Sequence, residues 1–145
     1  MFSREDADFL KSIGCSTQEL FDFIDDLGDY GEPDFETVLA VQAIRLRYFR
    51  EVMGGQPARR QATMAELPSK ADAVDGISWL PRLIVKARLK LRGEMPPELM
   101  YGCGGDRPFL RRMKSTLPAF LQLVWDCGED DRKIIESVKQ TAGFA

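Results

Sequence analysis

Apolar residues recur at intervals of three and four through most of the chain, and no window sustains the alternation of β-branched and polar residues that a half-buried strand needs. The pattern predicts an all-α protein. Ser3 with Asp6 opens a short helix that Gly14 closes, and Ser16 with Glu19 forms a capping box for a helix that Gly28 closes. Pro33 suits the first turn of a long third helix, with apolar positions Phe35, Val38, Leu39, Leu46, Phe49 and Met53 and a stop at Gly54-Gly55. Towards the other end, Asp106 caps a helix that carries Pro108 in its first turn. Thr116 caps another that ends at Gly128, and a last helix covers residues 130–140.

The two ends share a register. Residues 6–29 align with residues 106–129 without a gap, with identities at Asp6/Asp106, Phe9/Phe109, Leu10/Leu110, Asp26/Asp126 and Gly28/Gly128. Conservative pairs such as Ser16/Thr116, Phe21/Leu121 and Ile24/Val124 fill the spaces, so a duplicated helical unit is expected, spanning 3–53 and 106–140. Between the units lies a polar linker, residues 54–77, which reads as a wrapping arm or a mobile functional loop. A basic helix over 78–92 follows, with Ser78 as N-cap, Pro81 in the first turn and Gly93 as the stop. Leu80, Leu83, Ile84, Ala87 and Leu91 make its apolar stripe, and Arg82, Lys86 and Lys90 run along a neighbouring face. The expected architecture is therefore one domain, 1–145, a compact bundle of six to seven helices with two related units around a central basic helix.

Composition narrows the chemistry more than the fold. The chain has no histidine, which removes Ser-His-Asp and Cys-His triads, a histidine metal site and a histidine general base. Three widely spaced cysteines, Cys15, Cys103 and Cys127, fit a reducing compartment better than a disulfide framework. With no membrane-length apolar run and no signal-peptide layout at Met1-Phe2-Ser3-Arg4, a soluble cytoplasmic protein without a membrane partner is expected. The net charge of −3 divides unevenly: residues 1–50 carry 11 acids and 5 bases, residues 51–115 carry 7 and 12, and residues 116–145 carry 5 and 3. An acidic front and a basic middle either neutralise each other inside the fold or present the middle to an anionic partner. The acidic balance and the lack of a recognised motif exclude nucleic acid from the expected partners.

The sharpest candidate chemistry is Cys103-Gly104-Gly105-Asp106-Arg107. Consecutive glycines adopt turns whose amides form an anion-binding concavity, and a cysteine beside Arg107 is a candidate nucleophile or redox sensor. The plainer reading makes Gly104-Gly105 a sharp turn, Asp106 a helix cap, Arg107 an ion-pair partner and Cys103 a small buried residue. Cys15 sits beside a helix N-cap that would lower its pKa, and it is a minor candidate. The acids Asp22, Asp25, Asp26 and Asp29 lie within and just past a helix, so they read as a solvated face rather than a cation loop. Trp79 and Trp125 are expected core anchors.

Leu80-Pro81-Arg82, Lys86-Ala87-Arg88 and the block Tyr101-x-Cys103-x-x-Asp106-Arg107-x-Phe109 resemble the domain of unknown function 5069 family, most densely from Gly76 to Gly128. The resemblance implies a small bacterial protein and carries over no reaction, because that family has none assigned. The functional expectation is a non-catalytic binding or protein-interaction module. It would take an anionic small molecule (phosphate or carboxylate) or a protein partner, with Arg82, Lys86, Cys103, Gly104, Gly105 and Arg107 as the anion site. The alternative is a small thiol-dependent enzyme or redox sensor using Cys103 and Asp106. No cofactor and no metal are expected in either case.

Overall fold

A computed structural model describes residues 2–144. The front of the chain forms α1 (Arg4–Ser12), α2 (Thr17–Tyr30) and α3 (Phe35–Glu51). A long connection with one 3-10 turn (Met64–Glu66) leads to a hairpin of β1 (Ala73–Val74) and β2 (Ile77–Ser78). The remainder is α4 (Leu80–Arg92), α5 (Asp106–Arg112), α6 (Leu117–Cys127) and α7 (Asp131–Ala142). The protein is all-α as expected, with one small hairpin that the pattern did not reveal. Two residues per strand are too few to alternate, but the turn between them is Asp75-Gly76 at φ 50° and 78°, the left-handed pair of a tight hairpin.

Helix starts follow their capping chemistry. Ser3 Oγ accepts from the Asp6 amide at 3.0 Å while Asp6 accepts from the Ser3 amide at 2.9 Å, and Ser16 with Glu19 repeats the arrangement at 3.1 and 2.7 Å. Two ends differ from expectation. α2 continues through Gly28 to Tyr30, because the left-handed residue that ends it is Gly31 at φ 71°. α3 is capped by Asp34, whose carboxylate accepts from the Thr37 amide at 2.8 Å, and Pro33 lies before the cap rather than in the first turn.

The turns joining α1 to α2 and α5 to α6 are built alike at an offset of one hundred. The Leu10 carbonyl accepts from the Cys15 amide at 2.8 Å, and the Leu110 carbonyl from the Ser115 amide at 2.9 Å. The left-handed position between them is Gly14 at φ 75° in the first turn and Lys114 at φ 55° in the second.

The core lies where α3, α4 and α6 pack on one another, with α7 against α6. Leu80, Leu83, Ile84, Ala87 and Leu91 of α4 meet Val41 and Ile44 of α3 and Leu117, Phe120, Leu121 and Val124 of α6. Each large apolar side chain buried there contributes about 1.5–3 kcal/mol of transfer free energy. The inward face of α3 agrees only in part with the one expected: Phe49 is buried and Val38 packs against the core, but Val41, Ile44 and Arg45 are buried as well, while Phe35 and Leu39 are exposed. The polar linker wraps the body. The Ala62 amide donates to the Glu94 carbonyl at 2.8 Å, Arg82 Nη1 donates to the Pro68 carbonyl at 3.0 Å, and Ala62 packs with Leu89 and Leu99 in a second small cluster.

Candidate functional site

The entry to α4 sets the site. Ser78 belongs to β2 and does not cap the helix; the residue before α4 is Trp79, held at φ 77° without a side-chain cap. A bulky residue in that region carries strain that surrounding contacts must offset. Here the indole Nε1 donates to Asp106 Oδ1 at 2.9 Å, and the ring lies so close to Gly105 that a Cβ there would come within 2.4 Å of it. Gly105 is thus a packing requirement of Trp79, and its own φ of −89° is ordinary.

Asp106 is fully buried and acts differently from the expected cap. It occupies the first turn of α5, and its carboxylate turns back on the preceding loop. Oδ2 accepts from the Gly102 amide at 2.9 Å, from the Cys103 amide at 3.4 Å and from Lys86 Nζ at 2.8 Å. Lys86, 1% exposed, also donates to the Met100 carbonyl at 3.2 Å and lies 3.5 Å from Cys103 Sγ. The turn's amides therefore hold an anion, and that anion is the protein's own carboxylate. A buried ion pair persists only with such further hydrogen bonds.

The flanking residues extend this hub. Tyr101 is buried and donates its hydroxyl to the Leu117 carbonyl at 2.7 Å, and burial together with the Asp106 charge pushes the phenol well above its usual pKa. Gly102, at φ 90°, is the left-handed residue of the turn, and a Cβ on it would strike Leu117 at 2.8 Å. Arg107 donates from Nη1 to Asp26 at 2.7 Å and to the Gly102 carbonyl at 2.8 Å, with Glu32 3.4 Å from Nε.

The acidic front meets the basic middle through these contacts. Lys90 Nζ lies 2.7 Å from Glu19, Arg107 reaches Asp26, and Arg111 lies 2.9 Å from Glu32. Lys86 and Lys90 consequently belong to the interior and not to a solvated basic face. For Glu19, burial opposes ionisation, but Lys90, with help from the Ser16 amide and Arg45, outweighs it and holds the carboxyl below its usual range. Arg111 does the same for the exposed Glu32.

Of the residues singled out in the sequence, Lys86, Cys103, Gly105, Asp106 and Arg107 come together, with Gly104 in the same turn. Arg82 stands apart, turned from α4 to the linker carbonyl of Pro68. Cys15 is buried, and burial followed by the Glu19 charge pushes its thiol up to about 11, the opposite of what its place beside a helix cap implies. Trp125 packs edge-on against Tyr48 with ring centroids 5.4 Å apart. Among the described residues, no three acids or cysteines converge as a metal site would require. No helix there is long and apolar enough to cross a membrane.

Sequence reasoning passed over Glu19, Asp26 and Trp79 as members of this network, and it passed over Arg45. Arg45 sits at i+4 between Val41 and Phe49, a cation on an apolar stripe, and that interruption was the available signal.

Fold and hub together define a small helical domain held by a buried carboxylate that gathers an ammonium, an indole and two backbone amides. The chain belongs to the family described as Domain of unknown function (DUF5069), whose model matches residues 65–143, from midway along the linker through α7. No curated protein and no solved structure matches the chain.

Proposed function

We propose that this protein is a non-catalytic interaction module, and that it docks a basic amphipathic helix of a partner protein on the outer face of α1 and α2. The observation that carries this reading is a contrast between equivalent positions. Phe9, Phe21 and Ile24 are 63%, 53% and 56% exposed, whereas Phe109, Leu121 and Val124 at the same register are 1%, 0% and 1% exposed. Among the described residues, eight of the ten large exposed apolar side chains lie within the first 52 positions, which concentrates them on the N-terminal helices instead of scattering them singly. In the C-terminal unit the equivalent positions pack in the core with the apolar stripe of α4, so a helix with a similar stripe is the fitting occupant. Asp25, one helical turn after Phe21, and Asp29, one turn further on, are exposed on α2. They favour a basic partner and disfavour a second copy, which would bring the same acids together.

The test uses the α4 sequence itself, a labelled peptide spanning residues 79–93, as a model basic helix. Anisotropy titration should give saturable binding that weakens with salt and is lost in the Phe21→Asp, Ile24→Asp double variant. Absence of binding, or binding indifferent to the double variant, overturns the proposal. A mass that doubles with concentration in wild type and not in the double variant assigns the face to a second copy instead.

The anion reading at Arg82, Lys86, Arg107 and the Gly104-Gly105 turn is less favoured, because an incoming anion would compete with Asp106 and Asp26 for the same donors. The thiol reading has one specific support, the Lys86 ammonium 3.5 Å from Cys103 Sγ. Under that reading Cys103 reacts with iodoacetamide well below pH 8 while buried Cys15 does not. Reaction at Cys103 only after unfolding sinks it.

A further inference from the structure

The front and the family-matching half of the chain meet at a cavity of about 300 Å³, away from the Asp106 hub and the outer face of α2. That volume lies at the lower end of the range for small-molecule sites, roughly 300–1,000 Å³. Arg45 of α3 lines it, 3% exposed. No group of the described residues hydrogen-bonds its Nε or Nη1, although both are buried. Among the described residues every other buried cation has a carboxylate within 2.8 Å: Lys86 has Asp106, Lys90 has Glu19, and Arg107 has Asp26. Arg45 alone among them has none.

The fold goes to some length to hold it there. The guanidinium lies between the backbones of Gly14 and Gly93, where added Cβ atoms would come within 2.9 Å of Nη1 and 2.3 Å of Nη2. Both glycines have left-handed φ, 75° and 70°, so each position excludes a side chain twice over. Phe49 supports the group from below, 5.5 Å from its ring centroid to the guanidinium carbon. Burial depresses the Arg45 pKa, and Glu19 is the main charge opposing that shift. An isolated guanidinium stays protonated in proteins and seeks a bidentate oxygen partner.

We infer that this cavity binds a small monocarboxylate with an apolar body, its carboxylate paired to Arg45. The apolar body would lie against Phe49, Pro57, Ala58, Met95 and Leu99. Lys11 adds a second positive charge to the lining, and Glu19 and Asp22, also in the lining, disfavour a doubly charged phosphate. This site involves none of the residues proposed for helix docking, and it stands or falls independently.

Calorimetric titration of the full chain with sodium benzoate, benzamide and inorganic phosphate tests the inference. Benzoate should bind, with neutral benzamide weaker by about tenfold or more for want of the charged bidentate pair, and phosphate weaker by a similar factor because Glu19 and Asp22 oppose its charge and it has no apolar body. Arg45→Met should reduce benzoate affinity by a similar factor, and it removes an uncompensated buried charge without leaving a cavity. Ala58→Phe keeps Arg45 but fills the apolar end, and it should abolish binding; this second variant decides the matter should the first fail to fold. Binding of none of the three probes overturns the inference, as does benzoate binding unchanged in both variants. Phosphate binding tighter than benzoate overturns the ligand class.

Discussion

Replacing Asp106 by asparagine tests the hub most directly, because the substitution keeps size and removes charge. In the native protein the carboxylate answers one ammonium at 2.8 Å, the Trp79 indole at 2.9 Å and the Gly102 amide at 2.9 Å. Asparagine can accept at only one atom, so its amide nitrogen faces a donor whichever way it turns. Either way Lys86 loses its carboxylate partner, and its other contacts, the Met100 carbonyl and the Cys103 sulfur, stand at 3.2 Å or beyond. Removing one partner of a buried pair costs about 3–5 kcal/mol. That is a large share of the roughly 5–15 kcal/mol a domain possesses. With an m-value of about 1.5 kcal/mol/M, the urea midpoint followed by circular dichroism should fall by about 2–3 M. Lys86→Met is expected to cost less, about 1–3 kcal/mol, since the carboxylate keeps its indole and amide donors. The double variant should be less destabilised than the sum of the two. A midpoint shift below about 0.5 M for Asp106→Asn, or a larger loss for Lys86→Met than for Asp106→Asn, would refute the account of the hub.

Two further outcomes follow from the geometry. Lys114 holds a left-handed φ of 55° where the equivalent residue is Gly14, so Lys114→Gly should raise stability by about 0.5–1 kcal/mol in thermal unfolding, whereas Gly14→Ala, which meets Phe49 at 2.7 Å, should lower it. The depressed Glu19 carboxyl contributes stability that is present above its unfolded pKa and lost as pH falls through its folded one. In Lys90→Met the largest contribution opposing burial is gone, so the Glu19 midpoint, followed by carboxyl NMR, should move up and the acid loss of stability should begin at higher pH. An unchanged Glu19 midpoint contradicts the pairing.

The parts of this protein that depend on near neighbours were legible in the sequence. Ser3 with Asp6, Ser16 with Glu19, Thr116 and Gly93 mark helix ends through contacts three or four residues away, and each acts as its local chemistry indicates. Gly28 misled because a glycine ends a helix only where a left-handed residue is needed, and Gly31 supplies that. The candidate site was legible as a place and less so as an arrangement. The Tyr101 to Phe109 block and Lys86 do converge, but Asp106 turns towards the loop before it rather than the helix after it. The burial of Lys86 and Lys90 was not legible because their partners lie 20 and 71 residues away in sequence. Arg45 had no partner to find, and only its interruption of the Val41 to Phe49 stripe marked it.

The hub's contacts also set an order of assembly. Its hydrogen bonds span 4, 20 and 27 residues, whereas the pairs that tie the front to it, Lys90 with Glu19 and Arg107 with Asp26, close loops of 71 and 81. Short loops cost less chain entropy, so the segment from Trp79 to Arg107 can take shape before α1 and α2 arrive. Those two helices, with Leu10 and Phe23 their only buried helical residues, should then be the last to join and the first to leave. Their amides should exchange with solvent in openings that leave the Asp106 knot closed, so the surface proposed to meet a partner is also the part the protein can release without unfolding.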